Sequence, residues 1–497
     1  MLARSDGRRA TTVNTAGILR ASALQLAAAI GDGRLTSRRV VDAHIDRLQE
    51  VNPQLNALVM DRFARARAEA DAADAAPAAD RGPLHGVPCT IKEAFAVVGM
   101  PQTAGLMARH GRLADHDAVT VRRLRDAGAI VLGVTNTSEL CMWMESNNRV
   151  YGRSRNPHDV RRIVGGSSGG EGAVIGAGGS PFGLGSDVGG SIRMPAYFNG
   201  IFGHKPSSWL VPNDGQFPAA ENRAMAYLTT GPMSRRAEDL WPLLQILAEA
   251  ALPDDPSSVD VSSLRVVVPT TGRRVHPDLE AAREAAAAVL AARGATVQRV
   301  ALPALRRSFD IWSSMLTDAG GTSFAALLGE GEPIRTGREF RRWVAGRSPH
   351  TLPALFLAAT ETLPKLTPGR TRAFVREGLA LRRQVEDLLG DDGVLLYPPY
   401  PVAAPRHGVP IALTFHWTMT AIFNVLEIPV TQVPLGTDRR GLPLGVQVGA
   451  AHGKDHLGIA VAQVLEAAGG GWIEPRSLTD DGRNGRSTTE ATIGVGA

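Results

Sequence analysis

Three short stretches hold side chains able to do acyl chemistry: TIKEAF with Lys92, GGSSGGEG with Ser167 and Ser168, and GSDVGGSIR with Ser191. Ser167 and Ser191 each follow a Gly-Gly pair. Glycine takes backbone conformations barred to other residues and lets a substrate approach the main chain closely. Attack on an amide carbonyl needs that approach, because the carbonyl oxygen becomes an oxyanion and wants N–H donors at close range. The backbone N–H groups of Val188, Gly189, Gly190 and Ser191 could supply them beside a nucleophilic hydroxyl.

A serine needs a base to attack at neutral pH. Histidine is absent from all three stretches, and no histidine sits in a Gly-x-Ser-x-Gly elbow. Lysine can serve once its ammonium has lost the proton, and burial beneath a glycine-rich loop lowers its pKa because a desolvated cation is costly. Lys92 lies at the end of an apolar run, so partial burial is expected.

The elements that must position these groups alternate along the chain. Val87 to Ile91 and Ile130 to Val134 read as strands, with Val119 to Asp126 as a helix between them. Val40, Val41, Ile45 and Leu48 recur at helix spacing, capped by Thr36 or Ser37, with Pro53 just past the end. A second, Ala- and Arg-rich helix is expected over Arg62 to Ala79. The glycines from Gly165 to Gly190 are interspersed with core-type residues, unlike a polar linker. LPDDPSSVDVSS (252–263) reads as a hinge before the strand LRVVVP and an Ala-rich helix from Asp278 to Arg293. GVLLYP, PVTQVPL and LGVQVG read as further strands, and Asp455 to Ala467 as a helix. The pattern implies an α/β fold with a buried sheet between helix layers. Residues 1–20 are expected to form a flexible arm, 21–475 one catalytic domain and 476–497 a disordered tail.

The chain is 497 residues long, with 44% hydrophobic and 21% charged residues, so it is globular and able to bury a large core. A net charge of +5 over this length, in short scattered basic clusters, argues against nucleic acid as a partner. The two cysteines, Cys89 and Cys141, form no metal or disulfide pattern, so neither a metal nor another cofactor is expected. No apolar run reaches the ~18 residues of a membrane span, and the N-terminus has no apolar signal core. A cytoplasmic location is expected.

The segments KEAFAVVGMP, SELCMWMESNNRVYGRSRNP, IVGGSSGGEG, GSDVGGSIRMPAYFNGIFGHKPS, TGPMSRRAEDL, LGDDGVLLYP and PLGVQV resemble the amidase-signature hydrolases. Within them the chain is most similar to the fatty-acid amide hydrolases of the second vertebrate type, from about residue 20 to 475. The resemblance implies a central mixed, twisted β-sheet covered by helices on both faces. It implies hydrolysis of a small-molecule carboxylic amide, through an acyl-enzyme, by a Ser-Ser-Lys triad. Ser191 matches the family's nucleophile, Ser167 its bridging serine and Lys92 its terminal base. The Gly166–Ser167 bond is expected to be cis. Glu93 stands where many members of the family have aspartate, although the nearest relatives share the Lys-Glu pair.

The flanking residues admit more than one role. Ser168 is either essential or a brace of its loop. Asp187 and Arg193 are expected to form a structural ion pair. Cys141, Met142, Trp143 and Met144 match a segment that lines the acyl channel, and core packing is the competing role for such a run. TLPALFLAAT (351–360) is either a buried helix, the favoured assignment, or part of an apolar substrate entrance. The vertebrate relatives attach to membranes through an N-terminal segment, and none is expected here, which leaves the acyl chain length open. Other functions consistent with the motifs are the amidase subunit of a tRNA-dependent amidotransferase and a non-catalytic binding module on the same fold. The family often pairs, so a homodimer is a further expectation.

Overall fold

Runs of Val, Ile and Leu bounded by turn residues become strands, and the computed structural model, which describes residues 14–270, 274–361, 366–412 and 415–476, assembles most of them into one sheet. In chain order the strands are β1 (Leu58–Asp61), β2 (Pro88–Lys92), β3 (Ile130–Thr135), β4 (Asn147–Asn148), β5 (Gly152–Arg153), β6 (Phe182–Asp187) and β7 (Phe202–Lys205). They continue with β8 (Thr229–Ser234), β9 (Arg265–Thr270), β10 (Thr296–Ala301), β11 (Gly393–Tyr397), β12 (Val430–Thr437) and β13 (Pro443–Ala450). β4 and β5 make a small hairpin. The other eleven form a mixed sheet in the order β1-β3-β2-β6-β8-β7-β12-β13-β11-β9-β10. β2 is parallel to both neighbours, β3 and β6, whereas β6 to β13 are joined by antiparallel pairs.

Helices cover both faces, and the two-residue period of the strands shows how. Val266, Val268, Val394 and Leu396 pack into one apolar cluster with the helix Asp455–Ala467. Their neighbours Val267, Leu395 and Tyr397 pack into another, against the helices Ser308–Ala319 and Pro368–Leu389. Strands buried on both faces read as continuous apolar runs, which is why GVLLY has no polar alternation. Leu396 is fully buried, so its truncation to alanine is expected to cost about 2–5 kcal/mol.

Several elements match the expectations closely, Val119–Asp126 and Asp455–Ala467 among them. Others differ. Thr36 caps the helix Ser37–Leu55, but Pro53 lies inside its last turn. There the Asn52 side chain binds the N–H groups of Ala57 and Leu58, and Asn56 ends the helix in the left-handed conformation. The second helix stops at Ala75. The expected hinge at 252–263 forms two 3₁₀ turns, capped by Asp255 and Asp260, and the sheet continues across it.

The expected flexible arm also needs correction. Thr15–Arg20 is helical, capped by Asn14, because Ile18 is fully buried in the main core and Arg20 pairs with Glu474. Residues 1–13 and, apart from Arg476, the expected tail 476–497 lie outside the described residues.

Candidate active site

Lys92 is the last residue of β2, a strand with every side chain buried. Flanked by β3 and β6, it is fully buried itself. Removal from water disfavours its charged form, and this outweighs the pull of Cys141, Asp187 and Glu171, so its pKa falls below the ordinary lysine value. Its Nζ lies 2.7 Å from Ser167 Oγ and 3.0 Å from Ser186 Oγ.

Ser167 sits where the loop from Val164 turns into the helix Gly169–Gly176, and the Gly166–Ser167 bond is cis, as expected. A Cβ on Gly166 would collide with the Trp143 carbonyl oxygen, so close packing requires glycine here. The Ser146 hydroxyl holds the turn, donating to the Ser167 carbonyl at 3.0 Å and accepting from the Gly169 N–H at 3.0 Å. Ser168 is buried in the sheet end, with its Oγ 3.3 Å from both N and O of Ser186. These contacts are those of a loop brace.

Ser191 follows β6 in a tight turn organised by Asp187. The Asp187 carboxylate accepts from the N–H groups of Gly190 at 2.7 Å and Ile192 at 3.0 Å. It also pairs with Arg193 at 2.9 Å, both side chains being fully buried. Arg193 donates further to the Thr420 carbonyl, Gln447 and Asn424. The expected ion pair is therefore present, embedded in a polar network. It also corrects one expectation, because the Gly190 N–H is already engaged by Asp187. The two serine loops abut, with the Ser168 N–H donating to the Ser191 carbonyl at 3.1 Å.

Two buried carboxyls lie close to Lys92. Glu171 accepts from the Thr90 and Thr135 hydroxyls, and burial pushes it up to about 8. Glu93 gathers Thr103, Ala104 and Tyr151, and burial still lifts it to about 7.

Ser191 opens onto a cavity of about 820 Å³ with largely apolar walls. Cys141, Met142, Trp143 and Met144 all line it. In the helix Leu352–Thr360, Leu355 is buried, while Phe356 and Leu357 line the cavity. Sequence reasoning missed Ser186, Glu171, Trp312 and Trp417. Ser186 shares β6 with Asp187, so its nearness to the Ser191 turn was legible in the sequence. Trp312 and Trp417 meet edge to face, with centroids 4.7 Å apart, at the wall of the cavity. No local pattern connects them to the serines. Among the described residues no helix is long and apolar enough to cross a membrane.

Known proteins resemble this chain over most of its length. The amidase family pattern matches residues 39–458. The chain is 46% identical to fatty-acid amide hydrolase 2-A of Danio rerio over 486 residues, covering 93% of this chain and 91% of that protein. It is 43% identical to human fatty-acid amide hydrolase 2, with the same coverage. A crystal structure described as an amidase superposes with a TM-score of 0.75 at 30% identity, over 90% of this chain and 99% of the other. The likeness spans nearly the whole sheet and its helices, so the chain belongs to the amidase family and is a hydrolase that cleaves amides.

Proposed function

We propose that this chain hydrolyses carboxylic amides with an extended apolar acid portion, fatty-acyl amides included, through an acyl-enzyme on Ser191. The observation that carries the triad is the contact of Lys92 Nζ with Ser167 Oγ at 2.7 Å, with the amine fully buried and disfavoured as a cation. The largely apolar cavity beside Ser191, and the likeness to fatty-acid amide hydrolases, support the substrate class. Its volume of about 820 Å³ is within the range of small-molecule sites.

In this mechanism neutral Lys92 takes the Ser167 hydroxyl proton while Ser167 Oγ takes that of Ser191. The Ser191 oxygen bonds the amide carbon, and the N–H groups of Val188, Gly189 and Ser191 hold the oxyanion. The relay then runs backward and delivers the proton to the leaving nitrogen as the C–N bond breaks, so the amine departs neutral. Water attacks the ester with the same relay as base, and the acid leaves. A cytoplasmic location is part of the proposal, and cell fractionation tests it.

A fluorophosphonate probe should label the purified protein at Ser191, and Ser191→Ala should abolish labelling. Labelling that persists in that variant would discard the assignment.

A further inference from the structure

Glu139 belongs to no part of the proposed triad, yet its buried carboxylate bridges two walls of the cavity. It opens the 3₁₀ turn Glu139–Cys141, in which Leu140 and Cys141 have φ of 51° and 59° and face the cavity near Ser191. Its Oε1 lies 2.8 Å from His350 Nδ1, and its Oε2 accepts from the Thr351 N–H at 2.8 Å. Facing a carboxylate oxygen, Nδ1 is the donor. Thr351 caps the helix Leu352–Thr360, which carries Phe356 and Leu357 into the cavity more than 200 residues further along the chain.

The far end of the same helix is also tied. Glu361 accepts from the N–H groups of Phe324 at 2.6 Å and Ala325 at 3.1 Å, and Phe324 lines the cavity as well. The helix is thus bracketed by two carboxylates, one of them on the turn that shapes the catalytic end. Between the brackets Leu140, Ala354 and Ala358 share a small apolar cluster.

Glu139 and His350 are 3% and 5% exposed. Taking such a pair out of water offsets most of its attraction, and apolar residues of similar size are often as stabilising. What apolar side chains lack is direction. Two bonds from one carboxylate fix both the position and the axial rotation of the helix start. Phe356 follows five residues later on a rigid helix, so the contact controls where the apolar wall stands.

We propose that Glu139 and His350 are specificity-determining positioning residues, which set the length of acyl chain the cavity accepts by latching the helix Leu352–Thr360 to the turn beside Ser191. The proposal rests on the cavity being the acyl site. An amide with a short acyl group stays near Ser191 and ignores the latch, whereas a long apolar chain reaches Phe356 and depends on it.

The test compares butyryl and decanoyl anilides with the wild-type enzyme, Glu139→Ala and Glu139→Gln. Glu139→Ala should lower kcat/KM for the decanoyl substrate roughly tenfold, mainly through KM, and change the butyryl value less than about twofold. Glu139→Gln keeps an acceptor for the Thr351 N–H and, with the His350 proton on Nε2, offers its amide N–H to Nδ1, so it should restore the long-chain value. His350→Ala breaks the same link from the other side and should show the same split, which covers a Glu139→Ala protein that fails to fold. Equal losses on both substrates, or no loss on either, overturn the latch. A wild-type enzyme without any preference between the two chains overturns the acyl-site assignment, and the latch with it.

Discussion

Arg193 Nη2 meets Asp187 Oδ1 at 2.9 Å with neither side chain reaching solvent, and the turn bearing Ser191 lies between them in sequence. The pair and its partners Asn424, Gln447 and the Thr420 carbonyl tie that turn to the strand and helix behind it. Arg193→Met leaves a buried carboxylate without its cation. It should cost about 3–5 kcal/mol, measured as a fall in denaturation midpoint at unchanged slope.

The same carboxyl sets an acid limit. Burial opposes its charge, but the Arg193 guanidinium and the surrounding donors outweigh burial and hold Asp187 below the ordinary aspartate range. Its contribution to stability is therefore complete above the unfolded value near 3.8 and is lost as pH falls further toward the folded value. Asp187→Asn should be less stable than wild type at neutral pH, and the gap should narrow below about pH 4 in acid unfolding curves.

In the proposed relay Lys92 must be uncharged to accept a proton, and burial lowers its pKa. kcat/KM should thus rise with pH along a limb below the lysine value of 10.5. Ser186 accepts a bond from Nζ and favours the charged form. Ser186→Ala should shift the limb to lower pH, read from the full pH–rate profile. A wild-type profile with no ascending limb anywhere below the ordinary lysine value would argue against lysine as the base.

Glu171 carries the opposite sign. Burial raises it from 4.5 to about 8, so folding favours its protonated form. The stability this supplies is complete below the unfolded value and is lost as pH rises toward about 8. Glu171→Gln stays neutral throughout. Relative to wild type its melting temperature should rise between about pH 5 and 8, on the order of a few kcal/mol in stability.

Gly190 has φ of 112°, and a Cβ there would collide with Thr420 Oγ1. Gly190→Ala should displace the neighbouring oxyanion donors and lower kcat by roughly 10²-fold or more, with a smaller effect on KM. Unchanged kcat would remove the turn from the oxyanion role.

The cysteine-to-methionine run 141–144 and the helix 351–360 show how far a single chain pattern can be read. Their apolar character was visible, but core and cavity walls have the same composition, and only the packing separated Leu355 from Phe356. The Gly190 N–H looked like an oxyanion donor until the Asp187 carboxylate, three residues earlier, was found bonded to it.

Read alone, the sequence determined the alternation of strands and helices and marked Lys92, Ser167 and Ser191 as candidate groups, whose separate roles came from the family resemblance. Those signals are local: apolar period, caps, and glycines whose lack of a side chain is itself the constraint. The tertiary structure alone decided that Ser186 completes the lysine's surroundings, that Trp312 and Trp417 meet at the cavity, and that Glu139 grips His350. The tryptophan and Glu139–His350 contacts join residues more than 100 positions apart, and even Ser186 reaches Lys92 only through the pairing of β2 with β6. Their formation follows from how the sheet orders its strands, which no spacing within one segment encodes.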